Sequence, residues 1–157
     1  MATPAMLAKQ GVLHRYEPAL EPGHMPERML YCTNGFLDWF STVLPTLKKD
    51  KGSLTPEEQV DRVLWEFVTG KPLVYNQGAK NLDPMIDGVW ELKTTDVRIF
   101  GWFAARNTFI ATNGALRSAL VPWAKYAPYI EEAKHVRNSL HLDEPKFLPG
   151  GALKDVL

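Results

Sequence analysis

From residue 28 onward the apolar and polar positions fall into recognisable periods. Arg28 to Thr33 (RMLYCT) is dense in strand formers, and behind it Phe36, Leu37, Phe40, Val43, Leu44 and Leu47 recur at helical spacing, with Asn34 expected to cap the helix. The run KKDKGS ends it. A second helix is bounded at both ends: Thr55-Pro56-Glu57-Glu58 reads as a capping box with proline at the first helical position, and Gly70 followed by Pro72 closes it. Between them Val60, Val63, Leu64, Phe67 and Val68 form one apolar stripe. After a polar link the period changes to two. Trp90 and Leu92 alternate with Val89, Glu91 and Lys93; Thr94-Thr95-Asp96 turns the chain. Val97, Ile99, Gly101 and Phe103 then share one face, with Arg98, Phe100 and Trp102 on the other. Arg106-Asn107 makes a second turn, and Phe109 to Thr112 returns. Turns this short predict an antiparallel meander. Pro128 opens a last helix striped by Tyr129, Ile130, Ala133, Val136 and Leu140.

These elements predict an α+β fold of two layers, in which an antiparallel sheet carries two N-terminal helices on one face and is followed by a C-terminal helix. Its other face is expected to stand open. Residues 1–27, punctuated by Pro4, Pro18, Pro22 and Pro26, read as an N-terminal extension in which GVLHRYEPAL supplies a short edge strand. The domain proper runs over 28–141. The segment 142–157, DEPKFLPGGALKDVL with the residue before it, is expected to be a mobile tail.

Composition changes the picture chiefly through charge. Eighteen basic residues balance eighteen acidic ones among 157, so no bulk field draws the chain to a polyanion, and any such site must be local. Cys32 is the only cysteine, which excludes an internal disulfide and points to a buried structural thiol. The N-terminus lacks the pattern of a secretory leader, and no apolar run is long enough for a membrane span, so a cytoplasmic protein without membrane partners is expected. His14, His24, His135 and His141 have no cysteine or carboxylate partners at ligand spacing, and no glycine-rich phosphate loop is present. No metal or other cofactor is expected.

The segment 88–117 places Lys93, Arg98, Arg106 and Arg117 among aromatic residues, a combination suited to phosphate and unstacked bases. Each has a structural alternative. Arg98 can contact phosphate or pair across the hairpin with Glu91; Phe100 and Trp102 can stack on bases or pack beneath the last helix. Trp123, Lys125 and Tyr126 in VPWAKYAP are freer candidates for contact. Lys134, His135 and Arg137 follow Glu131 and Glu132 along one helix, a distribution that the helix dipole also favours.

The order of these elements resembles the RelE/ParE superfamily of bacterial toxins, in particular its HigB-like, phage-associated branch. The resemblance covers about residues 28–141. It rests on GKPL closing a helix, on Lys80-Asn81-Leu82, on the strand Gly88-Val89-Trp90-Glu91-Leu92-Lys93, on Arg98-Ile99-Phe100, and on a proline-led helix carrying Ala133 and Arg137. It implies a toxin of a toxin–antitoxin system, a ribosome-dependent mRNA endonuclease that cleaves RNA without a metal. Arg98, Arg117, Lys93 and His141 would be the catalytic group, and Arg106, Trp123, Lys125 and Arg137 would contact RNA. An antitoxin and ribosome-bound mRNA would be the partners. Two other expectations share the same fold: a non-catalytic module that inhibits a host protein such as gyrase, and a structural or accessory phage protein whose extensions build a homo-oligomer.

Overall fold

In the computed structural model, which describes residues 1–82 and 88–157, a mixed sheet of six strands lies between two layers of helix. The polar link before the meander includes residues 83–87, which lie outside the described residues. The elements run α1 (Pro4–Lys9), β1 (His14–Arg15), β2 (Met29–Cys32), α2 (Asn34–Asp38), α3 (Pro56–Val68), β3 (Ala79–Asn81), β4 (Trp90–Lys93), β5 (Val97–Ala105), β6 (Thr108–Leu116), α4 (Ala127–Ser139) and α5 (Leu153–Val156). Strand order is β1-β2-β6-β5-β4-β3. The meander β3 to β6 is antiparallel, and β2 joins it parallel to β6.

The capping box of α3 forms as expected. The Thr55 hydroxyl accepts from the Glu58 amide, and the Glu58 carboxylate accepts from the Thr55 amide at 3.0 Å. The preceding helix differs from expectation in two ways. Thr33, not Asn34, caps it by accepting from the Phe36 amide, while Asn34 bonds the His14 ring at 2.8 Å. It also stays α-helical only to Asp38, continuing as a π-helical turn over Trp39–Val43 and a 3-10 turn over Leu44–Thr46. Ser41 and Thr42 return their hydroxyls to the carbonyls of Leu37 and Asp38, and Pro45 has no amide to offer, so the regular ladder cannot continue. The wider turn sets the Trp39 ring over Gly114. A Cβ built there would stand 2.4 Å from a ring carbon, so this position needs glycine.

The two-layer expectation is corrected. α2 and α3 cover one face of the sheet, burying Phe36, Leu64 and Phe67 against Leu30, Trp90, Ile99 and Phe109. The other face is closed as well: α4 lies over Phe100 and Ala115, and α1 with the chain after α4 lies over Tyr31, Trp102 and Ile110. The physical reason is in β5, where six of the seven residues from Val97 to Phe103 are apolar. A strand of that kind is stable only when both of its faces are dry.

The expected mobile tail is corrected too. The Trp102 indole donates to the Lys146 carbonyl, the Leu148 amide donates to the Phe103 carbonyl at 2.9 Å, and Val156 is fully buried in the main core. Leu7 and Leu13 of the N-terminal segment are likewise buried. The extension and the tail therefore supply part of the same core as residues 28–141. Cys32 is buried, and burial pushes its thiol up to about 12, as a structural thiol requires.

One polar device fastens the β4–β5 turn to the helical layer. The Asp96 carboxylate, 2% exposed, accepts from the backbone amides of Asp50, Lys51 and Gly52 and from the Gln59 side chain of α3. Gln59 completes the joint by accepting from the Asp96 amide and the Thr94 hydroxyl. Burial alone would raise the Asp96 pKa; the bonds from Gln59 and the three amides outweigh it and hold the group at about 2 against an ordinary 3.8. The folded-state pKa is depressed, so this contribution is complete above about pH 4 and is lost as pH falls through about 2. Asp96→Asn is expected to cost about 2 to 4 kcal/mol in urea unfolding, since it strands buried amides. The wild-type protein should lose stability across that acid window, and the variant should lose less of it.

Candidate nucleic-acid site

The β4–β5 hairpin brings Lys93 and Arg98 opposite each other, and β6 ends beside it at Arg117, whose amide donates to the Asp96 carbonyl at 2.7 Å. Lys80 of β3 and Trp123 and Tyr126, from the turn before α4, complete one corner of the sheet. Trp123 is 56% exposed and stacks on Tyr126 at 4.4 Å between centroids; the Lys80 ammonium lies 6.0 Å from the Trp123 ring centre. Among the described residues, Arg98, Lys93, Lys80 and Tyr126 act on the Glu91 carboxylate, while Arg117 acts on Lys93 and Trp123 stands against Lys80 and Tyr126.

Burial differs sharply within this group. Arg98 is 7% exposed and donates through one guanidinium nitrogen to the carbonyls of Thr94 (2.7 Å) and Val97 (3.0 Å). Its Nε stands 3.8 Å from Glu91 Oε1, the diagonal cross-strand pair that the sequence left open as an alternative. Lys93 is half-buried and donates to the Asn76 carbonyl at 2.8 Å, and Arg117 is half-buried at the strand end. The expected open face for Arg98 is therefore corrected: α4 covers that face, and the cations reach water only at its rim. The electrostatics register the crowding. Burial lowers the Lys93 pKa, with Arg98, Lys80 and Arg117 adding to the effect and Glu91 opposing it. Burial raises that of Glu91, which Arg98 pulls back most.

The other expected site residues lie elsewhere. His141 follows the C-terminal end of α4, a helix of 13 residues and so roughly 20 Å long, while Tyr126 precedes its other end. His141 is exposed, and its carbonyl accepts from the Ala2 amide, so it anchors the N-terminus and is not part of the corner. Arg106 sits at the far end of the nine-residue β5, roughly 25 Å from Arg98 at about 3.3 Å per residue. There it donates to the carbonyls of Lys154 and Leu157 and holds α5. Arg137 is buried, with its guanidinium 4.0 Å from the Phe147 ring centre. Lys125 is exposed beside Trp123 and belongs to the rim of the site.

Phe100 and Trp102 pack and do not stack on a ligand. Phe100 is fully buried beneath Tyr129 and Tyr126, and Trp102 beneath the chain after α4. Two members of the corner went unrecognised as site residues in the sequence: Lys80, whose strand β3 is only three residues long, and Glu91, which reads as a routine partner of Arg98. The alternation of Glu91 with two buried apolar neighbours was the available signal. Among the described residues, no three His, Cys, Asp or Glu side chains are grouped to hold a metal, and no helix is long and apolar enough to cross a membrane.

Family models, curated proteins and solved structures provide no match to this chain. The site is consequently read from its own geometry. Arg106→Ala, which removes the two bonds holding α5, is expected to expose the C-terminal segment to limited proteolysis and to cost about 1 to 2 kcal/mol.

Proposed function

We propose that the chain is a RelE/ParE-like toxin domain acting on ribosome-bound mRNA as an endoribonuclease, with the β4–β5–β6 corner as its phosphate site. The observation that carries this reading is the convergence of Lys93, Arg98 and Arg117 at one rim, with Lys80 beside them and an exposed Trp123 at their edge. Attack of a 2′-hydroxyl on the adjacent phosphate, to give a cyclic phosphate, is stabilised by cations placed around the pentacovalent centre. Guanidinium and ammonium groups at strand ends supply those cations without a metal. Trp123 offers a face to an unstacked base, as single-strand binders do.

The neutral chain fits a ribosome-dependent enzyme better than an autonomous nuclease. Affinity for free RNA scales with the number of phosphates neutralised, and this corner engages only a few. The ribosome would provide the remaining affinity, and an antitoxin masking the rim would be its natural inhibitor.

The test is induced expression in a bacterial host with pulse-labelled protein and DNA synthesis, comparing wild type with Lys93→Ala plus Arg117→Ala. Both residues are half-exposed, so the double variant should fold. Early arrest of protein synthesis by the wild type, abolished in the variant, is the expected result. Undisturbed growth with soluble protein would sink the toxin reading, and an earlier loss of DNA synthesis would replace it with inhibition of gyrase.

A further inference from the structure

We infer that Glu91 is the proton acceptor of this site, reached from bound RNA through the Tyr126 hydroxyl. The inference rests on the endoribonuclease reading and names a group that reading lacks, since His141 lies at the far end of α4. Cleavage by a 2′-hydroxyl requires a base near the cations. Among the described residues of the corner, Glu91 is the carboxylate with an acceptor to spare, since Asp96 is engaged by three backbone amides and Gln59.

Its geometry is not that of a closed structural ion pair. A buried arginine–carboxylate pair that serves stability is normally bidentate, at about 2.7 to 2.9 Å, with every donor and acceptor engaged. Here the separation is 3.8 Å, and both Glu91 Oε2 and Arg98 Nε are buried without a hydrogen-bond partner. Arg98 instead directs its guanidinium to backbone carbonyls, which leaves the carboxylate with an unused acceptor. The groups facing Glu91 are Arg98 and Lys93 on the hairpin, Lys80 on β3 and Tyr126 before α4. The Tyr126 hydroxyl lies near enough to favour the carboxylate, although no hydrogen bond reaches Oε2. Tyr126 is half-buried, so its ring stands between the interior and the rim.

The step balances as follows. The 2′-hydroxyl of RNA gives its proton to the Tyr126 oxygen as Tyr126 passes its own to the Glu91 carboxylate, and the 2′ oxygen bonds to phosphorus. The bond from phosphorus to the 5′ oxygen breaks, leaving a 2′,3′-cyclic phosphate. That 5′ oxygen takes a proton from a water at the rim, and the resulting hydroxide recovers the proton from Glu91. Burial raises the Glu91 pKa, which favours the neutral acid formed midway, while Arg98 opposes that rise and favours the carboxylate. Tyr126 is held neutral, as a relay must be, because burial and then Glu91 raise its pKa.

The experiment compares wild type, Glu91→Gln, Glu91→Asp and Tyr126→Phe. It measures binding to a single-stranded RNA oligonucleotide by fluorescence anisotropy and mRNA cleavage in a translating extract between about pH 5 and 9. Glu91→Gln should bind RNA at least as tightly as wild type, because an anion leaves a cationic corner. It should cleave about 10² to 10⁴ times more slowly and lose the acidic limb of the rate profile. Glu91→Asp should restore that limb at a reduced rate, which a merely structural role would not do. Should the Gln variant fold poorly, Tyr126→Phe must show the same separation of binding from cleavage. Cleavage by Glu91→Gln with its acidic limb intact would overturn the assignment and leave the enzyme reading standing. RNA bound but never cleaved by the wild type would remove both.

Discussion

The arrangement depends on one buried carboxylate. Asp96 sits where the β4–β5 turn, the loop before α3 and the first turns of α3 meet, and among the described residues no cation pairs with it. Three consecutive backbone amides and one side-chain amide share its charge, which is enough to overcome the cost of burying it. Because the same residue's carbonyl receives the Arg117 amide, the end of β6 is located by the joint that fixes the hairpin. Lys93, Arg98 and Arg117 are neighbours for that reason.

Closure of the sheet on both sides gives the corner its character. With α3 on one face and α4 on the other, charged groups on the central strands meet water only where the strands end. A chain with no net charge thereby concentrates several cations in one place, and burial, with the neighbouring cations adding to it, lowers the basicity of Lys93. The partly desolvated setting strengthens each interaction that an incoming phosphate would make, and it makes the imperfect pairing of Glu91 with Arg98 costly to maintain.

Local chemistry made much of this legible in the sequence. The capping box of α3, the two turns of the meander and the diagonal pairing of Arg98 with Glu91 each depend on residues close in the chain or directly across a hairpin. The α+β class followed from them. What could not be read depended on residues that meet only through the fold. α1 and β3 are too short to show a period, and the docked tail is a string of prolines and glycines whose few apolar residues fill gaps left by other elements. The expectation of an open face fails because Phe100 and Trp102, which alternate with the inward-facing residues on the same side as Arg98, are themselves buried. His141, Arg106 and Arg137 stand near the corner only in the resemblance, and lengths of helix and strand separate them from it.

The parallel pairing of β2 with β6 is the long-range closure of the sheet. The meander and α3 involve near neighbours in sequence, whereas Met29–Cys32 pairs with Thr108–Ala111 across α2, α3 and three strands, a non-local contact whose loop-closure cost slows its formation. Until β2 arrives, the flank of β6 carrying Phe109 and Ile110 offers unsatisfied main-chain groups beside large apolar side chains. Such a flank accepts any extended segment that comes near. The N-terminal segment, which adds β1 along β2 and sets Leu7 and Leu13 over the sheet, thus serves as a seal against promiscuous pairing as well as a part of the core.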